Sequence, residues 1–232
     1  MGRGRAGGSL AAALAGRAEV ELCGRGDLSA AAQGTDLLVL AVPDREIAAC
    51  AASAVPGDAV VAHVSGVTPL SALAPHARVA SLHPLVSLPD ASEGARRLRG
   101  AWMAIDGDPL IEELARLLGG RTFRVAEADR ALYHATASIA ANHLVALMAQ
   151  VERLAASMHV PVRPFLDLAA GALANTAEAG AAAALTGPVS RQDWDAVRHH
   201  LGALPAEEHE LYLTLARAAA TLAGLGLPDD LA

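Results

Sequence analysis

Short, continuously apolar runs alternate with alanine-rich helical stretches through the first half of the chain. Asp36-Leu37-Leu38-Val39-Leu40-Ala41-Val42 is too uniformly apolar for a half-exposed antiparallel strand, and Pro43 stops it. Ala59-Val60-Val61-Ala62-His63-Val64 reads the same way and ends at Ser65-Gly66. Further strands are predicted over Glu19–Cys23, Arg78–Leu82 and Ala101–Ile105, with helices such as Arg45–Ser53 and Pro109–Leu118 between them. This βαβ order predicts a buried, mainly parallel sheet.

After Val125 the pattern changes. Neither proline nor glycine interrupts a helix-compatible pattern from Glu127 to His159, enough for a helix of roughly 45–50 Å. Further helices are predicted over 164–179, 192–204 and 206–223. The expected architecture is an α/β parallel-sheet domain over 1–126, then an all-α domain over 127–232.

Composition narrows the chemistry. With 232 residues, 53% hydrophobic and 19% charged, the chain has ample material for a core. A net charge of -7 argues against nucleic acid and anionic membranes as partners. The two cysteines, Cys23 and Cys50, are far apart and match no metal spacing, so a reducing cytoplasm and no metal are expected. No run approaches the ~20 apolar residues of a membrane span. Short, alanine-weighted Ser9–Gly16, closed by Arg17 and Glu19, does not read as a secretory signal. All 18 basic residues are arginine. The absence of lysine excludes Schiff-base enzymes, Walker-type phosphate loops and lysine acid/base dehydrogenases.

Gly2-Arg3-Gly4-Arg5-Ala6-Gly7 fits G-x-G-x-x-G and precedes a helical stretch. The glycines permit a tight turn, backbone approach to a pyrophosphate and close helix packing, with the phosphates at a positive helix end. Gly2, Gly4, Arg5, Ala6 and Gly7 are therefore candidate cofactor residues. The fingerprint should follow a strand, and only Met1 stands before it here. We expect that strand to be encoded upstream, a GTG valine codon having been read as the start. At the end of the second strand, Arg25 is placed for the 2′-phosphate of NADP, with Arg5 assisting, so NADP is expected over NAD. Strand ends add Val42, Pro43 and Asp44, the last also readable as a helix cap, and Ser65 with Gly66. His83 closes the next strand.

On the long helix His134, Ser138 and Asn142 recur every four residues and share one broad face. The alternative for His134 is a core position bonded to a backbone carbonyl. Leu185–Val189 with Arg191 and Asp193 opens a later helix, readable as simple capping.

In order, Gly-x-Gly-Arg-Ala-Gly, Ala-Val-Pro-Asp (41–44), His-Val-Ser-Gly (63–66), Leu-His-Pro-Leu (82–85), Ala-Leu-Tyr-His (131–134), Ala-Asn-His-Leu-Val (141–145) and Leu-Thr-Gly-Pro-Val (185–189) resemble the Rossmann-like proteins carrying a C-terminal domain of unknown function. That group is similar in architecture to pyrroline-5-carboxylate reductase, prephenate dehydrogenase and the 6-phosphogluconate dehydrogenase C-terminal superfamily. The resemblance implies NAD(P) binding by the first domain and a helical, often dimerising second domain; it implies no substrate. Two features depart from it: the absent first strand, and the ten residues between Arg25 and Asp36, too few for the usual helix, strand and helix. An adenosine pocket open on that side is expected. The missing lysine separates the chain from ketopantoate reductase and the β-hydroxyacid dehydrogenases.

The leading expectation is an NADP-dependent reductase of a small carbonyl or imine in the cleft between domains, working as a homodimer. The proton donor is sought among His134 and His83, with Asn142, Ser138 and Ser65 orienting the substrate. His134 is preferred as donor. The alternatives are a non-catalytic NAD(P)-binding sensor or scaffold, and a structural dimer with a vestigial pocket.

Overall fold

The structure is a computed structural model that describes residue 2 and residues 4–231, the side chain of Arg25 apart. The chain divides into two compact units, Met1–Ala141 and Asn142–Ala232.

The first unit is built on a sheet of β1 (Leu37–Leu40), β2 (Val60–His63), β3 (Val79–Pro84), β4 (Trp102–Gly107) and β5 (Arg121–Arg124), in that spatial order. Pairing is parallel for β1–β2, β2–β3 and β4–β5. β4 runs antiparallel to β3, with Pro84 opposite Met103, so the chain leaves and re-enters the sheet at the same end. The helices are α1 (Arg5–Leu14), α2 (Asp44–Ser53), α3 (Ala91–Leu98), α4 (Leu110–Leu117) and α5 (Arg130–Ser138).

Side-chain alternation explains why the strands read as continuously apolar. Val60 and Ala62 face a core with Leu10, Leu14, Leu98 and Leu114, while Val61 faces a second core with Leu40, Ile47 and Leu73. Both faces of β2 are covered, so its four residues are all buried, as a sheet with helices on both sides requires. α1 packs on α3 through small residues: a Cβ on Gly94 would lie 2.0 Å from the Ser9 hydroxyl, which donates to the carbonyls of Arg5 and Asp90. α1 stops two residues before Gly16, whose φ of 72° is the left-handed conformation that favours glycine after a helix.

One expected strand does not form. Glu19–Cys23 carries no strand pairing among the described residues, and the Gly2 N–H reaches the Cys23 carbonyl at 3.5 Å. Extended backbone becomes a strand only beside a partner, and the described residues offer none there. The short stretch after it forms a 3₁₀ turn, Arg25–Ala30, which seats Leu28 in the second core.

The expected long helix is also subdivided. A 3₁₀ turn over Glu127–Asp129 leads into α5, a π-helical turn covers Ile139–His143, and α6 (Leu144–Ser157) follows. The division between the units falls after Ala141, later than the 126/127 boundary expected from composition. α5 therefore belongs with the sheet, tied to it by Arg130.

The second unit continues through α7 (Arg163–Ala179), α8 (Ala181–Ala184), α9 (Trp194–Ala203) and α10 (His209–Leu222). Val197, Ala216, Ala220 and Leu231 form its core. Asp193 caps α9 by accepting from the Ala196 N–H at 3.1 Å, which is the capping role its sequence position allows. Arg153 holds Glu208 at 2.7 Å, and Gln150 donates to the Glu208 carbonyl.

Candidate functional site

The glycine turn at the start of the chain divides its work by position. Gly2 has φ of 104°, and a Cβ there would sit 2.2 Å from the Ala41 carbonyl oxygen; one on Gly7 would sit 1.8 Å from the Gly2 carbonyl oxygen. These two glycines let the turn close against the end of β1. Gly4, the N-cap of α1, has nothing within 4 Å of its missing Cβ. No side chain caps α1, so the first-turn N–H groups of Arg5, Ala6 and Gly7 keep the anion-binding character of a helix start. A cradle closed by Gly2 and Gly7 and open at Gly4 fits a pyrophosphate.

At the carboxyl ends of β2 and β3 a polar cluster gathers around Gly66. A Cβ on Gly66 would lie 2.9 Å from both His134 Cδ2 and His83 Nδ1, so the two imidazoles are seated because that position carries no side chain. Their ring centroids are 6.2 Å apart. His83 Nδ1 is hydrogen-bonded to the Tyr133 hydroxyl at 2.6 Å. Buried Ser65 organises the turn: its hydroxyl accepts from the N–H groups of Val67 and Thr68, and its own N–H donates to His63 Nδ1.

Arg130 anchors this arrangement. Its side chain is 7% exposed and donates to the Ser81 hydroxyl at 2.6 Å, to Asp106 at 3.1 Å and to the Thr68 carbonyl at 3.3 Å, with Glu127 also 3.3 Å away. One guanidinium thus joins β3, β4 and the loop after β2, and Tyr133 and His134 follow it by one helical turn. A cavity of about 10 Å³, room for one water, lies among Gly66, Ser81, His83, Arg130 and Tyr133. His83 also lines a larger, mostly apolar pocket of about 230 Å³ with Ala6, Leu10, Val64, Pro84 and Leu88.

Burial leaves His63 and His83 neutral at pH 7. Burial, then the neighbouring His134 ring and, more weakly, Arg130, lowers His83 to about 4 against a partial opposing pull from Asp44. Burial and Arg130 lower His63 to about 4 as well. Burial raises Tyr133 to about 12. His83 is therefore uncharged at neutral pH and cannot act there as an imidazolium acid.

His83, His134, Ser65 and Gly66 come together within the first unit, where different domains were expected to supply the two histidines. No hydrogen bond from His134 to a backbone carbonyl occurs among the described residues. Ser138, half-buried, ends α5, and Asn142, the first residue of the second unit, is exposed in the π-helical turn. Val42 packs against the second core, Pro43 is the N-cap of α2, and Asp44 opens that helix without capping it. The Arg25 side chain lies outside the described residues. Among those residues no group of three or more His, Cys, Asp or Glu side chains could hold a metal ion. The sequence did not single out Arg130 or the function of Tyr133: an arginine opening a helix reads as solvated, and only adjacency to His134 marks the tyrosine.

The fold is Rossmann-like, followed by a helical part. Residues 103–219 match the family described as "Domain of unknown function (DUF2520)", and the chain belongs to that family. No curated protein matches it. A Thermotoga maritima protein of known crystal structure is 26% identical with a TM-score of 0.67, over 81% of this chain and 77% of that one. A Plasmodium falciparum pyrroline carboxylate reductase solved with NADP bound is 10% identical with a TM-score of 0.58, over 98% and 97% of the two chains. An Aspergillus terreus imine reductase in complex with NADPH4 and a dibenzazepine is 16% identical with a TM-score of 0.52, over 86% and 71%.

Proposed function

We propose that the protein is an NADP-dependent reductase of a small carbonyl or imine, with its reacting centre at the His83–Gly66–His134 cluster. The observation that carries this reading is the seating of two imidazoles on one glycine at the carboxyl ends of parallel strands, where open α/β sheets place ligands. The open Gly4 cradle and the uncapped start of α1 support a dinucleotide held through its pyrophosphate by Arg5, Ala6 and Gly7. Arg25 is proposed to meet the 2′-phosphate. The cofactor supplies hydride chemistry when bound; the chain must polarise the acceptor and deliver a proton. His83, neutral, polarises the carbonyl oxygen or imine nitrogen as a hydrogen-bond donor, and His134, with Ser138 beside it, is the proposed proton source. NADP-containing reductases among the structural neighbours agree with this reading.

Other parts of the proposal concern setting. α7 has no buried residue, and Leu168 and Leu173 stand 72% and 54% exposed, which supports a homodimer through the C-terminal helices. Among the described residues no helix is long and apolar enough to cross a membrane. A non-catalytic dinucleotide sensor is the second reading, favoured by the unpaired Glu19–Cys23 segment.

Consumption of NADPH with a panel of small cyclic imines and ketones separates the two. The reductase reading expects turnover of at least one compound and a loss of roughly 100-fold or more in kcat for His83→Ala, the scale of removing one polarising donor. NADPH binding without consumption of any compound would establish the sensor instead.

A further inference from the structure

We propose that Tyr133 is a positioning residue that locks His83 in its Nε2–H tautomer, so that the strand-end imidazole presents an N–H donor on the side facing away from Tyr133. The substrate-facing part rests on the reductase reading above; the tautomer itself does not. The 2.6 Å separation fixes a hydrogen bond between the Tyr133 hydroxyl and His83 Nδ1 but not its direction. The direction follows from counting donors and acceptors.

Tyr133 keeps its proton, because burial disfavours the phenolate. Tyr133 is half-buried, and its hydroxyl has no other hydrogen-bond partner among the described residues. His83 Nδ1 is therefore where that proton points. If Nδ1 carried a hydrogen instead, the phenol hydrogen would have to turn toward the small cavity that Tyr133 also lines, where it forms no hydrogen bond with the described residues. A neutral imidazole bears one N–H, so with Nδ1 accepting, Nε2 must donate. Nε2 makes no hydrogen bond among the described residues, and His83 also lines the apolar pocket with Ala6, Leu10, Val64 and Leu88. The charged and titratable groups acting on the ring are Arg130, His134 and Asp44. None of them forms a hydrogen bond to either ring nitrogen among the described residues, so Tyr133 alone sets the tautomer. The site then works with a preset neutral donor whose orientation is fixed before any ligand arrives. No proton leaves Tyr133.

The test is long-range ¹⁵N–¹H NMR of the histidine side chains in the full-length protein at pH 7. Wild type is expected to show His83, assigned by its loss in His83→Gln, as a single Nε2-protonated tautomer. Tyr133→Phe keeps the ring packing, removes the hydroxyl, and is expected to move both His83 nitrogens toward exchange-averaged shifts. An Nδ1-protonated His83 in wild type, which needs no variant, overturns the proposal. So does an unchanged tautomer in a folded Tyr133→Phe. A thermal-shift series with NADPH on the same wild-type sample reads the reductase premise separately: an Nε2–H tautomer without any NADPH effect rejects that premise and leaves the tautomer lock standing.

Discussion

Lowering the pH from 7 to 5 is expected to destabilise the first unit by several kcal/mol, well before its carboxylates titrate. Two histidines cause this. His63 and His83 are held near 4 in the folded protein, against about 6.5 when unfolded. Between those values the unfolded chain binds more protons than the folded one, so stability rises with pH across the window. The contribution is fully present above about 6.5 and is lost progressively as pH falls toward about 4. Each histidine accounts for on the order of 3 kcal/mol over the whole window, less where the two rings and Arg130 are coupled. Urea unfolding at pH 7, 6 and 5 measures it. His83→Gln is expected to flatten the dependence by about half, and a midpoint independent of pH between 7 and 5 would show that the rings are not sequestered.

Replacing Arg130 is the other large effect. Arg130→Met removes a buried guanidinium that satisfies Ser81, Asp106 and the Thr68 carbonyl together. Breaking a buried pair costs about 3–5 kcal/mol where the remaining charge is fully enclosed. Asp106 is 28% exposed and also accepts from the Gly107 N–H, so its stranded carboxylate is partly solvated. We expect a loss of about 2–3 kcal/mol. Arg130→Lys should recover little of it, because an ammonium cannot reach three partners on different elements in the planar fork geometry. Removing the positive charge also relaxes one cause of the low His83 value, so the acid sensitivity of Arg130→Met should be milder than that of wild type. Denaturant midpoints at pH 7 and pH 5.5 read both effects; a variant as stable as wild type would mean that the network is ornamental.

Much of the fold was legible because burial on both faces writes itself as unbroken apolar sequence. Leu37–Leu40 and Val60–His63 are read correctly for that reason. Glu19–Cys23 does not form the strand expected of it because a strand-compatible segment reports only that it could pair, not that a neighbour stands beside it. The antiparallel β4 was equally hidden, since direction depends on where α3 packs, and α3 lies on α1 through Gly94 and Ser9. At the site, strand-end position pointed to Ser65, Gly66 and His83. What sequence could not give was the meeting of His83 with Tyr133, fifty residues apart, or the burial that makes both neutral. Arg130 shows the same limit: its identity is visible, but its three partners come from three separate segments.

The central claim is that this chain binds NADP at the Gly4 cradle, next to the paired imidazoles. Thermal unfolding of the full-length protein with increasing NADPH tests it most directly, because a ligand bound only by the folded state must raise its stability, by about 2.7 kcal/mol at a hundredfold excess over Kd. We expect a saturable rise with NADPH, a weaker one with NADH, and a loss of both in Gly4→Glu, whose carboxylate would occupy and repel the phosphates. An unfolding temperature unmoved by millimolar NADPH would contradict the account.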